Sequence, residues 1–128
     1  MRKIVICGSS KFNDEILKLK EKLEKMQYDV INYPKKINTQ NEYKQTYEKF
    51  FDDLDNADDI LIFNLDKNGI DGYIGYQTFA EMSFFVVNNI ITKNKNRKVF
   101  IYKIPSKSCG CYDEINQFLK LGYIELWK

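Results

Sequence analysis

The 128-residue chain has no histidine, only three cysteines and two prolines, and almost no net charge. Each shortage excludes something. Without histidine, a closed zinc site would have to be built from thiolates, and Cys109 and Cys111 of "SCGCYDE" are too few for one. Only a site shared between two chains would complete it, so no metal is expected. An odd cysteine count gives no disulfide framework, and a reducing cytoplasm is the simplest compartment. No apolar run is long enough to span a membrane. The opening "MRKIVICGSSKF" has too short an apolar stretch for a signal peptide and continues into a helical pattern. With 20 basic and 18 acidic residues, nothing points to a nucleic-acid polymer as partner. There is no internal repeat or low-complexity linker. There is neither a P-loop nor a G-x-G-x-x-G fingerprint.

What is present fits one domain over residues 1–128, with enough apolar residues (44%) for a real core. Aromatics reach 15%, enough that some are expected to line a pocket or an oligomer contact. Strand and helix patterns alternate. "KIVIC" is a buried strand stopped by "GSS". "NDEILKLKEKLEKM" repeats Ile16, Leu19, Leu23 and Met26 at helical spacing, with Asn13 or Asp14 to cap its start. "YDVINYP" is a strand closed by Pro34, and Lys35 to Asn41 is a polar loop. "EYKQTYEKFFDDLDNA" is a second amphipathic helix. "DDILIFNL" is apolar at consecutive positions, as in the middle of a parallel sheet. A glycine-rich segment then feeds a third helix, and "NIITKNKNRK" reads as a charged turn. "RKVFIYKIP" is a fourth strand ended by Pro105, "CYDEINQFLKLG" a short helix, and "YIELW" a last edge strand.

This order predicts an α/β fold: a three-layer, doubly wound, mainly parallel sheet of about four to five strands, Rossmann- or flavodoxin-like. Ligands bind such sheets beyond the strand C-termini, where the strand order switches. The first and third strands should be neighbours, which brings "CGSSKF" and "NLDKNGIDGYIG" to the same edge. Gly8, Ser9 and Ser10 can cradle an anion with backbone N–H groups and hydroxyls, or can simply cap a helix. Gly72 and Gly75 let backbone approach a ligand just before a helix with free N–H groups. Gln77, Glu81 and Asn88 share one stripe of that helix. The stripe is solvated, faces a partner subunit, or turns Glu81 into a pocket. A carboxyl among Phe79, Ala80, Met82, Phe84 and Phe85 would have a raised pKa and could serve as nucleophile or base. Asp66 and Asp71 are either a second carboxylate, by analogy with glycosidases, or turn residues.

Three stretches carry a family likeness: "IVICGSSKF", "NADDILIFN" and "GYIGYQTFAEMSFF". Over about residues 3 to 105 the chain resembles the nucleoside 2-deoxyribosyltransferase-like superfamily, which includes deoxynucleoside 5′-monophosphate N-glycosidases. It is most similar to small members with "GYIG", a helix glutamate, and a following strand ending in "IP". The resemblance implies that Glu81 is the nucleophile that captures C1′ of a sugar. It implies that Gly8, Ser9, Ser10, Gly72 and Gly75 hold the sugar and any 5′-phosphate. Phe12, Asn64 and Tyr73, inside the matching stretches, join them as substrate-binding residues. Asp71, ten residues ahead of Glu81, is implied as a second functional acid. Family transferases carry a tyrosine just after the first strand that orients the glutamate. Here the strand ends in Cys7, which leaves Tyr73 or Tyr76 to supply a hydroxyl.

The resulting expectation is an enzyme acting on a nucleoside or nucleotide without metal or organic cofactor. The runner-up is a non-catalytic nucleotide-binding or sensing module on the same fold. A homodimer or higher homo-oligomer is expected to pack Tyr43, Tyr47, Phe50, Phe84 and Phe85 between chains.

Overall fold

The computed structural model describes all residues, Met1–Lys128. The elements are β1 (Arg2–Cys7), α1 (Asn13–Lys25), β2 (Tyr28–Asn32), α2 (Gln40–Asn56), β3 (Asp59–Ile62), α3 (Tyr76–Thr92), β4 (Lys98–Ile101), α4 (Tyr112–Leu121) and β5 (Glu125–Leu126). The five strands form one sheet in the order β2-β1-β3-β4-β5. Every pairing is parallel, the short edge strand β5 included, so the "mainly parallel" expectation becomes fully parallel.

Period-two alternation splits the core between the faces of the sheet. Ile4, Ile6, Leu61 and Phe63 face α1, through Ile16, Leu19 and Leu23. Val5, Cys7, Ile60 and Ile62 face the other way, against Phe50 and Leu54 of α2, Met82 and Phe85 of α3, and Ile115 of α4. Helices therefore cover both faces, and the central strands are apolar at consecutive positions because both sides are buried. At the N-terminal end of the sheet, Arg2 grips the buried Asp59 through Nε and Nη2, both at 2.8 Å, which locks β1 to β3. No helix is long and apolar enough to cross a membrane.

Four local expectations need correction. Neither Asn13 nor Asp14 caps α1. Its entry is instead a 3-10 turn, Ser10–Phe12, capped by Ser9, whose hydroxyl accepts from Lys11 N–H at 3.3 Å. The polar loop after β2 is shorter than expected. Thr39 caps α2 by accepting from Glu42 N–H at 3.1 Å, and the Glu42 carboxylate accepts from Asn38 N–H at 2.9 Å. The charged turn "NIITKNKNRK" begins late, because Asn89 to Thr92 complete α3 before Lys93 ends it at φ 56°. Phe50 and Phe85 lie inside the chain's own core and are not available to a partner.

β1 is the switch point. The chain leaves it toward β2 on one side and returns to β3 on the other. Cys7 pairs with Ile62, so the loops that follow them, Gly8–Ser10 and Phe63–Gly75, start side by side. That is the edge where this architecture builds its cleft.

Candidate functional site

A Cβ on Gly8 would stand 3.0 Å from the Phe63 carbonyl oxygen, so the exits of β1 and β3 touch backbone to backbone. Two compartments open on this seam. Gly8, Ser10 and Gln77 line both. Their volumes are about 180 and 430 Å³, and together they fall in the range of small-molecule sites.

The smaller compartment is aromatic. Tyr43, Tyr47, Phe50 and Phe51 of α2 wall it, with Lys35 on the β2–α2 loop and Glu81 on α3. Helical spacing stacks Tyr43 on Tyr47 at 5.7 Å and leans Tyr47 on Phe51 at 5.0 Å. Glu81 is only 8% exposed and lines the compartment, while Gln77 on the same stripe is exposed and Asn88 half-buried. Burial pushes its carboxyl from the ordinary 4.5 to about 7. Two contacts oppose the shift: the Gln77 amide, which donates to Oε2 at 3.3 Å, and the Cys7 thiol. Burial and the adjacent Glu81 hold that thiol well above its ordinary value, so Cys7 acts as a neutral neighbour of the carboxyl.

The larger compartment is polar. Ser9, Ser10, Phe12, Asn64, Lys67, Tyr73 and Gly75 line it, with the first turn of α3. Gly75 occupies the N-cap of α3 and offers no side chain, so the first N–H groups of this 17-residue helix are left for a ligand or solvent. Lys67 brings a charge there. Its ammonium donates to Ser9 Oγ at 2.9 Å and stands 5.8 Å from the Tyr73 ring. A tight turn presents it: Lys67 and Ile70 exchange backbone bonds, and Asn68 and Gly69 take φ of 55° and 72°.

The expected loops thus meet in one cleft, with two exceptions. Gly72 is a strut. It sits at φ 63°, where a Cβ would come within 2.9 Å of Pro105 Cα. Its N–H donates to Asp66 at 2.8 Å, and its carbonyl accepts from Asn64 Nδ2 at 3.1 Å. Asn64 also bonds both backbone groups of Lys103, at 2.7 and 3.2 Å, so its side chain is committed even though it lines the cleft. Asp71 is exposed and lines neither compartment; its carbonyl accepts from Ser106 N–H at 2.9 Å. Asp66 pairs with Lys103 at 2.8 Å, and that bond, with the Gly72 N–H, holds its carboxyl below the ordinary range. Both aspartates therefore serve the turn, and Glu81 is the one carboxylate lining the cleft. Neither Tyr73 nor Tyr76 lines the compartment that holds Glu81; the hydrogen-bond donors to Glu81 are Gln77 and Cys7.

Cys109 and Cys111 line neither compartment, and their sulfurs are 3.8 Å apart. The buried Cys109 thiol donates to the Ile74 carbonyl at 3.7 Å, beneath the glycine loop. A further cavity of about 390 Å³ opens by the end of α3, along β4 and β5. Two of its basic groups are engaged: Arg97 donates to the carbonyls of Leu54 at 2.8 Å and Ala57 at 3.0 Å, and Lys98 faces Glu125 at 3.9 Å; Lys93 and Lys95 also line it.

Lys35 and Lys67 escaped the sequence reading because a lysine in a polar loop carries no periodic signal. Tyr43 and Tyr47 stand out in the sequence as an aromatic row, a pattern that fits an oligomer contact as well as the wall of a cleft. Fold and cleft together define a Rossmann- or flavodoxin-like three-layer α/β protein with a two-part pocket at the strand C-termini. The chain matches no protein-family model, and no curated protein matches it either.

Proposed function

We propose that the protein cleaves or transfers the N-glycosidic bond of a nucleoside 5′-monophosphate, with Glu81 as nucleophile. The observation that carries this reading is the division of the cleft. An aromatic slot suits a flat base, and a polar compartment with Lys67, Ser9, Ser10 and the start of α3 suits a phosphate. The residues common to both, Gly8, Ser10 and Gln77, mark the place for the sugar, beside Glu81. In the first step a Glu81 oxygen bonds to C1′ as the C1′–N bond breaks. The electron pair stays on the base nitrogen, which takes up a proton from solvent. Water, or the N–H nitrogen of a second base, then attacks C1′, gives its proton to solvent and frees the carboxylate. A carboxyl with a pKa of about 7 is half ionised at neutral pH, so the attacking form is present there.

The test is a panel of nucleosides and nucleoside monophosphates, with released base read by chromatography. Glu81→Gln should cut release by on the order of 10⁴-fold while the fold and ligand binding persist. Equal release by the variant would refute the mechanism. The absence of a second carboxylate beside Glu81 favours one competitor, a nucleotide-sensing module. Tight binding of monophosphates by wild type with no release of base would select it.

A homodimer is part of this proposal, on the outer face of α3. Tyr76, 97% exposed, Ile91, 73% exposed, and Ala80 and Val87 between them form an apolar stripe without cover. Ile91→Lys should raise the dissociation constant in sedimentation runs, and a wild-type monomer at high concentration would overturn the dimer. The three free thiols suit a reducing cytoplasm.

A further inference from the structure

Two of the few polar side chains in the interior, Asn32 and Asp53, are 5% and 7% exposed and reach the aromatic compartment through Lys35. They form an ordered relay. Asn32 Nδ2 donates to Asp53 Oδ2 at 2.7 Å, and Lys49 bonds the other Asp53 oxygen at 2.8 Å. This fixes the orientation of the Asn32 amide, so its Oδ1 faces the β2–α2 loop. There it accepts from the Tyr33 N–H at 2.7 Å and from the Lys35 ammonium at 2.6 Å. The same ammonium lies 4.3 Å from the centre of the Tyr33 ring. A lysine head on a flexible stem is thus held in place by buried groups that the apolar core does not need.

Lys35 is the one cationic residue lining the aromatic compartment. An ammonium has three donors and no acceptor, and Asn32 uses one of them. The rest can only read acceptors on whatever stacks against Tyr47 and Phe51. Nucleobases differ at that point. Guanine offers N7 and O6 side by side as acceptors, whereas adenine places an amino donor at position 6; uracil-type bases carry O4 where cytosine carries an amino group.

We infer that Lys35, positioned by Asn32 and Asp53, selects an oxo-bearing nucleobase over its amino counterpart in the aromatic compartment. The inference rests on the N-glycosidic reading of the cleft and names its substrate class. An amino base turns a donor toward the ammonium and leaves it unpaired, while an oxo base satisfies it. A well-placed contact of this kind discriminates on the order of 10- to 100-fold.

The experiment uses two isosteric pairs, the 5′-monophosphates of hypoxanthine and adenine and those of uracil and cytosine, each in ribo and 2′-deoxy forms. Base release is measured as kcat/KM, and binding of the four free bases is measured in parallel by calorimetry. Wild type should favour the oxo member of each pair at least tenfold. Lys35→Met keeps the stem and removes the donors, so it should bring the ratio close to one, chiefly by lowering kcat/KM for the oxo substrates. Asp53→Asn should shrink the ratio in the same direction; a merely structural role would lower both members alike. Equal rates on both members in wild type, or an undiminished ratio in Lys35→Met, overturn the inference and leave the N-glycosidic reading standing. Release of no base from any substrate refutes that reading instead. The calorimetric ratio of hypoxanthine to adenine and its loss in Lys35→Met then still decide the role of Lys35.

Discussion

Replacing Glu81 by glutamine should stabilise the protein, and only at the pH where the carboxyl is charged. In the folded chain this group holds its proton up to about pH 7, because burial opposes ionisation. In the unfolded chain it releases the proton near the ordinary 4.5. Between those values the folded state binds more protons than the unfolded state, so stability falls as pH rises. The contribution of the neutral acid is complete below the unfolded value and is lost as pH passes the folded one. A rise from 4.5 to about 7, at 1.36 kcal/mol per pH unit, makes the full loss about 3 kcal/mol. At 8% exposure there is little solvent screening to discount it. Glutamine keeps the shape, stays neutral and can still bond Gln77. The variant and wild type should therefore melt together near pH 4, and the variant should gain up to about 3 kcal/mol by pH 8. For a chain of this size that is roughly 10 °C in Tm. Urea denaturation of both proteins at several pH values from 4 to 8 measures the difference directly, and other carboxylates cancel in it. A difference that stays flat with pH, or a variant less stable than wild type at pH 8, would refute the reasoning.

Two further outcomes are expected. Lys67→Met removes the ammonium beside Ser9 and should raise KM for 5′-monophosphates about tenfold or more while leaving the free nucleosides unchanged; an equal effect on both would detach Lys67 from the phosphate. Gly72→Ala forces a side chain into φ 63° and against Pro105, and should cost about 3 kcal/mol in urea unfolding. Gly69→Ala, also at positive φ but with open space around it, should cost only about 1 kcal/mol; equal costs at the two sites would contradict this.

The parts of the molecule governed by periodicity could be read before any coordinates. "DDILIFNL" is apolar at consecutive positions because β3 is covered on both faces, and that alone places it mid-sheet. The burial of Glu81 could be suspected from its ring-rich neighbours. The position of Asp71 could not. A positive φ at Gly72 turns the chain there, and the Asp71 carbonyl is taken by Ser106, some thirty-five residues further along the chain. The cap on the first helix was misread for a similar reason. Asn13 is a good capping residue, but Ser9 starts a 3-10 turn first and brings the chain to Asn13 already helical. Phe50 and Phe85 looked surplus because a linear pattern cannot show that α2 and α3 cover the same face of the sheet. The two lysines of the cleft are defined by partners distant in sequence or buried, Ser9 for Lys67 and Asn32 for Lys35.

The bonds Asn64 makes to Gly72 and Lys103 close a ring at the base of the segment that carries Lys67. Leu65 to Asp71 loop out from that ring and are tied back at their ends by Asp66 to Lys103 and by the Asp71 carbonyl to Ser106, so the Asn68-Gly69 tip is the part least held. Lengthening or exchanging the Asn68-Gly69 turn would therefore move the lysine without moving α3 or Glu81. On the N-glycosidic reading proposed above, affinity for a charged tail and chemistry at the sugar would sit on separately adjustable parts. A lineage built on this scaffold could exchange one class of tail for another by editing a single exposed turn, with its reacting group left in register throughout.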